Sequence, residues 1–205
     1  MRRIGWVVMA VLATVIAAYA LTLVVWPAAR PPLVRERFAT IPLAVFLHLL
    51  GGAVALAMGP LQLNSRLREK SLNRHRWIGR TYIIAVLVGG IAALVLATGS
   101  LGGLPAHVGF GLLAVLWLGC TAVAYRHIRA KDQARHRQWM IRSYALTFAA
   151  VTLRIYLPVS LLAGIPFEPA YQAIAWLCWV PNLVVAEWFV RQHSRVASLQ
   201  ALSPS

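Results

Sequence analysis

Arg74-His75-Arg76-Trp77-Ile78-Gly79-Arg80-Thr81-Tyr82 and Arg135-His136-Arg137-Gln138-Trp139-Met140-Ile141-Arg142-Ser143-Tyr144 are two copies of one phrase, the second longer by Gln138. Upstream of each stands a His followed four residues later by Gly, His48 with Gly52 and His107 with Gly111. The offsets are 59 residues (48 to 107) and 61 residues (75 to 136). A unit of about sixty residues is therefore duplicated, with a small length change in its loop. The duplication sorts four His into two matched pairs.

The residues between the copies define the solvent. With 60% hydrophobic and 12% charged residues in 205, and a mean hydropathy of +0.70, the chain has too little polar surface for a water-soluble globule. Runs near 4–26, 40–62, 77–98, 105–125, 140–163 and 170–190 each approach the about twenty residues needed to cross a bilayer as a helix. The expected fold is all-α: one polytopic membrane domain over 1–190 with six transmembrane helices. Within it, an internal parallel two-helix repeat forms a central four-helix bundle. The polar, small-residue-rich stretch 191–205 is expected to be a disordered cytoplasmic tail.

The net charge of +15 would suit a nucleic-acid binder, but its placement indicates topology instead. If the spans alternate, sixteen basic residues fall on one side: Arg2, Arg3, the two clusters from Arg66 to Arg80 and from Arg126 to Arg142, and Arg191 with Arg195. Only Arg30, Arg35 and Arg37 fall on the other, and Arg154 lies within a span. This is the positive-inside pattern, and it places both termini and both basic loops on the cytoplasmic side. Anionic inner-leaflet lipids are the partners such loops attract, and no nucleic acid is needed.

The remaining punctuation agrees. The first run begins like a signal peptide, with Arg2, Arg3 and a later Ala18-Tyr19-Ala20, yet its apolar core is longer than a signal requires, so a retained helix is expected. Pro27, Pro31 and Pro32 shape an external loop of about a dozen residues, and Thr40 with Pro42 opens the second helix. Gly99, Gly102, Gly103 and Pro105 make one further external turn, and Gly164, Pro166 and Pro169 another. Cys120 and Cys178 lie in separate spans and read as buried apolar fillers.

A two-helix repeat re-enters the membrane in its original direction, so matched residues share a depth. His48 and His107 belong near the external face, on the second and fourth helices, and His75 and His136 at the cytoplasmic mouth, on the third and fifth. Small residues line the His-bearing faces: Gly52, Ala55 and Gly59 with His48, Gly111 and Ala114 with His107, and Gly79 and Gly89 with His75. Such faces serve close helix packing, or they clear space for a flat macrocycle between two imidazoles. On the fifth helix His136, Ser143, Thr147 and Arg154 form an inward polar stripe. Arg154 has no acid at its depth, because Glu187 lies toward the other end. A haem propionate, a lipid phosphate or snorkelling to the external surface would satisfy it. His127 and His193 have no repeat partner and read as solvated.

The segments from His75 to Tyr82 and from Trp139 to Thr147, with Thr152-Leu153-Arg154-Ile155-Tyr156, resemble the bacterial integral-membrane family known as domain of unknown function 2306. That resemblance covers about residues 40–190 and implies a fold and a location. The arrangement of six helices and four His is also similar in architecture to the transmembrane two-haem cytochrome b proteins, which move electrons from cytoplasmic reductants to external acceptors. It implies haem b at two sites, His48 with His107 externally and His75 with His136 on the cytoplasmic side.

Two function classes follow. In one, paired imidazoles ligate haem iron for transmembrane electron transfer, Arg154 helps to hold the cofactor, and the basic mouth attracts a quinone or small anionic reductant. In the other, the chain is a non-redox transporter of a small solute, with His48, His107 and Arg154 lining a polar path, or a lipid-binding scaffold. In that second case Arg74, Arg76, Arg80, Arg135, Arg137 and Arg142 are lipid or anion contacts, and Trp77 and Trp139 are interface anchors. Acids number five and none is paired, and no phosphate loop or zinc motif occurs, so hydrolytic chemistry is not expected.

Overall fold

A computed structural model describes the backbone of residues 3–202 and the side chains of residues 4–192. Ten α-helices are described: α1 (Arg3–Val25), α2 (Pro32–Thr40), α3 (Pro42–Gln62), α4 (Ser65–Lys70), α5 (Leu72–Ala97), α6 (Gly103–Arg129), α7 (Gln133–Thr147), α8 (Ala149–Leu162), α9 (Phe167–Leu177) and α10 (Val180–Leu202). Six segments are long and apolar enough to cross a membrane: α1, α3, α5, α6, the pair α7 and α8, and the pair α9 and α10 up to Gln192. Val11, Val15, Ile91, Leu104, Val159 and Val184 point outward, roughly half exposed or more. A bilayer is the solvent that such a surface fits.

The central bundle consists of α3, α5, α6 and α7, with α3 packed on α5 and α6 on α7 in the pairing that the duplication predicts. The ring closes through α5 against α6 and α3 against α7, while α1 lies on α3 and α8, and the last span covers α6 and α7. The repeat extends to local detail. Ser71 caps α5 by accepting from Arg74 N, and Asp132 caps α7 by accepting from Arg135 N. These equivalent caps let each helix begin on its basic triplet. Arg80 lies over the Trp77 ring at 5.2 Å and Arg142 over Trp139 at 4.6 Å, the same cation–π contact in each copy.

Several boundaries differ from those expected. Capping extends the third and fifth helices back to Leu72 and Gln133, ahead of the expected span starts at 77 and 140, so the whole repeated phrase lies on helix. The expected external loop after the first span is instead a 3₁₀ turn at Pro27–Ala29 followed by α2, started by Pro at its first turn. The backbone of α10 continues past the expected span end at residue 190 to Leu202. The side chains of the expected tail from residue 193 on, His193 and Arg195 among them, lie outside the described residues.

Two interruptions inside the spans are served by neighbouring helices. Pro60 in α3 has no N–H for the Leu56 carbonyl, and the Tyr144 hydroxyl donates to it at 3.4 Å. The Pro60 carbonyl accepts from Trp6 Nε1 on α1 at 3.1 Å. The break between α7 and α8 at Phe148 lies beside the break between α9 and α10. Asn182 joins them, donating from Nδ2 to Cys178 O at 2.9 Å and Ala145 O at 3.3 Å.

Candidate functional site

Small residues decide how the His-bearing helices meet. A Cβ on Gly51 would stand 2.7 Å from the Ala85 carbonyl oxygen and 2.8 Å from Gly89 N, so α3 and α5 touch backbone to backbone. A Cβ on Gly59 would stand 1.9 Å from the Tyr144 ring, which fills that notch. On Gly79 it would meet the Gln62 side chain at 3.3 Å. Helix packing thus uses Gly51, Gly59, Gly79 and Gly89. Gly52 and Gly111, the glycines of the two His-xxx-Gly pairs, have no atom within 4 Å of an added Cβ and face open space.

The four repeat His lie on the two diagonals of the bundle, His48 and His107 on α3 and α6, His75 and His136 on α5 and α7. His48 places Nδ1 3.0 Å from the Gly89 carbonyl, and His136 places Nδ1 2.8 Å from the Ala124 carbonyl. A carbonyl only accepts, so Nδ1 carries a proton in both, and Nε2 is the ring nitrogen left for another partner. His107 is the other way round, with Nε2 2.8 Å from the Ser100 carbonyl. His75 Nδ1 is buried with no hydrogen-bond partner. That ring lies within electrostatic range of His136, and its backbone carbonyl accepts from Gln62 Nε2 at 2.7 Å. Among the described residues no group of three or more His, Cys, Asp or Glu is placed to hold a metal ion.

Between the two His levels is a polar knot that the sequence only partly announces. The Tyr82 hydroxyl lies 2.8 Å from both Ser143 Oγ and Thr147 Oγ1, Trp117 Nε1 donates to Thr147 Oγ1 at 2.8 Å, and Thr121 Oγ1 lies 2.7 Å from Ser143 Oγ. Every member is buried, and protons can be assigned so that each group is paired. The inward stripe on the fifth span is present at Ser143 and Thr147, but its hydroxyls are engaged by α5 and α6. Tyr82 belongs to the repeated phrase and could be anticipated; Trp117 carries no periodic signal that separates it from core.

The basic residues divide by exposure. Arg74, Arg76, Arg80, Arg135 and Arg137 are exposed at the end of the bundle that holds α4 and the α6–α7 connection. Arg142 is only 16% exposed and forms a two-point ion pair with Glu187, Nη2 standing 3.0 Å from Oε2. Glu187 is therefore the partner of Arg142, consistent with its mismatch in depth to Arg154. Arg154 donates from Nη1 to Ala150 O at 2.9 Å and lies 5.8 Å from the Tyr19 ring centroid. His127, expected to be solvated, is instead partly buried with Nδ1 3.6 Å from Asp132 Oδ2, because the cap of α7 brings that carboxylate under it. Cys120 and Cys178 are free and buried, as fillers should be.

Six apolar spans and a closed helical bundle define a polytopic α-helical membrane protein. A family model described as "Predicted membrane protein (DUF2306)" matches residues 45–190, and the chain belongs to that family. The matched region takes in both copies of the repeat and leaves out all of α1 and α2. Comparison with the curated proteins and with the solved structures finds no match.

Proposed function

We propose that this protein is a bis-imidazole electron carrier of the bacterial inner membrane, with haem b held first by His75 and His136. One observation carries this reading: a buried, unpartnered His75 Nδ1 on a ring within electrostatic range of His136, whose own Nδ1 is committed to the Ala124 carbonyl. A backbone carbonyl on the far ring nitrogen is how proteins orient an imidazole toward a metal. Haem would supply one-electron exchange. The chain's own contribution is to hold the rings on one diagonal of the bundle and to place Arg74, Arg76, Arg135 and Arg137 at the adjacent surface. Those exposed cations favour an anionic reductant or a quinone headgroup arriving from the cytoplasm. The second diagonal fits less well, because His48 presents Nε2 while His107 gives its Nε2 to the Ser100 carbonyl. Haem there would require the His107 ring to turn.

The alternative, a non-redox lipid-binding scaffold or small-solute transporter, draws on the fully paired polar knot and the glycines closed by packing. The absorption spectrum of the purified protein in detergent separates the two. The redox reading expects a Soret band and reducible α and β bands that are lost in His75→Ala and His136→Ala and persist in His107→Ala. A protein that stays colourless after expression with added haem would sink it and favour the scaffold or transporter.

A further inference from the structure

Between their contact at Gly51 and Gly89 and the end of the bundle opposite the basic loops, α3 and α5 leave an apolar groove on the lipid-facing side. It holds about 540 Å³, and its walls include Ile41, Ala44 and Leu47 at the start of α3 and Val88, Ala92 and Val95 on α5. The row Val88, Ala92, Val95 continues at helical spacing to Gly99, just past the last turn of α5. Arg37 donates to the Gly99 carbonyl, and a Cβ added to Gly99 would stand 2.9 Å from Arg37 Nη1. The Arg37 carbonyl in turn accepts from Ile41 N at 2.9 Å. Arg37 is thus tied to both walls at the open end of the groove. Its guanidinium is partly buried and in no ion pair among the described residues. The acids of this end, Glu36 and Glu168, are exposed and form no ion pair either.

We propose that the groove is a phospholipid site, with the phosphate on Arg37 and one acyl chain lying against Val95, Ala92 and Val88. Length and charge select this occupant. The eleven-residue step from Val88 to Gly99 rises about 16 Å, half of a hydrocarbon core of about 30 Å and so the reach of a chain in one leaflet. At the head of that path stands a guanidinium, whose planar fork of donors matches phosphate oxygens. The prenyl tail of a quinone would fit the walls but brings no anion to Arg37. A second copy related by a two-fold axis would present the same concave surface and leave the groove unfilled. The site shares no residue with the His75–His136 pair, so it stands or falls separately from the redox reading.

The test uses the full chain in lipid nanodiscs carrying either phosphatidylglycerol with a photoreactive diazirine in its acyl chain or diacylglycerol with the same chain and no phosphate. After illumination, mass spectrometry locates the adducts. Phosphatidylglycerol is expected to label residues 41–47 and 88–95 severalfold more than diacylglycerol does. Arg37→Gln should remove that excess, Arg37→Lys should keep most of it, and Arg80→Gln, at the other end of the bundle, should leave it unchanged. Ala44→Phe fills the groove without touching Arg37 and should lower labelling severalfold, which serves where Arg37→Gln does not fold. Equal labelling by the two lipids, or an excess that survives Arg37→Gln or Ala44→Phe in a folded protein, would overturn the proposal. So would a bound prenylquinone, or a second copy cross-linked through these residues, in place of the phospholipid.

Discussion

Tyr82 and Thr147 meet in the same knot, yet removing their hydroxyls should have unequal consequences. Tyr82→Phe deletes one group whose partners retain others: Ser143 keeps Thr121, and Thr147 keeps Trp117. Interhelical hydrogen bonds in membranes average about 0.6 kcal/mol, so a loss of about 1 kcal/mol is expected. Thr147→Val keeps the shape but leaves Trp117 Nε1 as a buried donor with no acceptor, and that should cost about 1–3 kcal/mol. Equilibrium unfolding in mixed micelles measures both. A Tyr82→Phe variant less stable than Thr147→Val would mean that Trp117 Nε1 does not depend on Thr147 for its acceptor. The sequence placed Ser143 and Thr147 on an inward face through helical spacing, and Tyr82 in the repeated phrase. It could not disclose that they satisfy one another across α5, α6 and α7, because that depends on the rotation of three helices.

Close approach of α3 to α5 and α7 is a property of helices rather than of single contacts, and it gives neighbouring glycines opposite sensitivities. Gly59→Ala drives a methyl into the Tyr144 ring, whose hydroxyl also serves the carbonyl freed by Pro60, so overpacking of about 1–3 kcal/mol is expected. Gly51→Ala meets backbone on α5, which cannot rotate away, and should separate the pair and lengthen the His48–Gly89 contact. Gly52→Ala meets nothing and should be neutral or gain up to about 1 kcal/mol of helix propensity. Thermal unfolding of the three variants in detergent decides this, and equal destabilisation by Gly52→Ala would remove the distinction. Small faces were legible as periodic Gly and Ala, but which glycine touches a neighbour was not. Nor was the break at Phe148, where Ala145 to Val151 contains neither Pro nor Gly and the Ala145 carbonyl is served from another span by Asn182.

At the scale of the molecule, hydropathy and duplication were enough to predict six spans and a central pair of pairs, because bilayer thickness and backbone satisfaction leave few other solutions. The site was less legible, since it depends on which nitrogen of each His faces a carbonyl, and the sequence records only spacing. The orientation of the whole is the step that ties this fold to a cell. Six spans place both termini on one side, and the sixteen basic residues counted with them face three on the other. The charges sit close to helix ends, where they act on insertion. Alkaline phosphatase fused after Lys70 or Lys131 in a bacterial host should therefore be inactive, and after Ser100 or Gly164 active, with a fluorescent protein giving the reverse. Active phosphatase at Lys70 would invert the molecule. It would put the His75–His136 pair and its arginines at the periplasmic face, beyond the reach of a cytoplasmic reductant, and turn the Arg154 end toward the anionic inner leaflet.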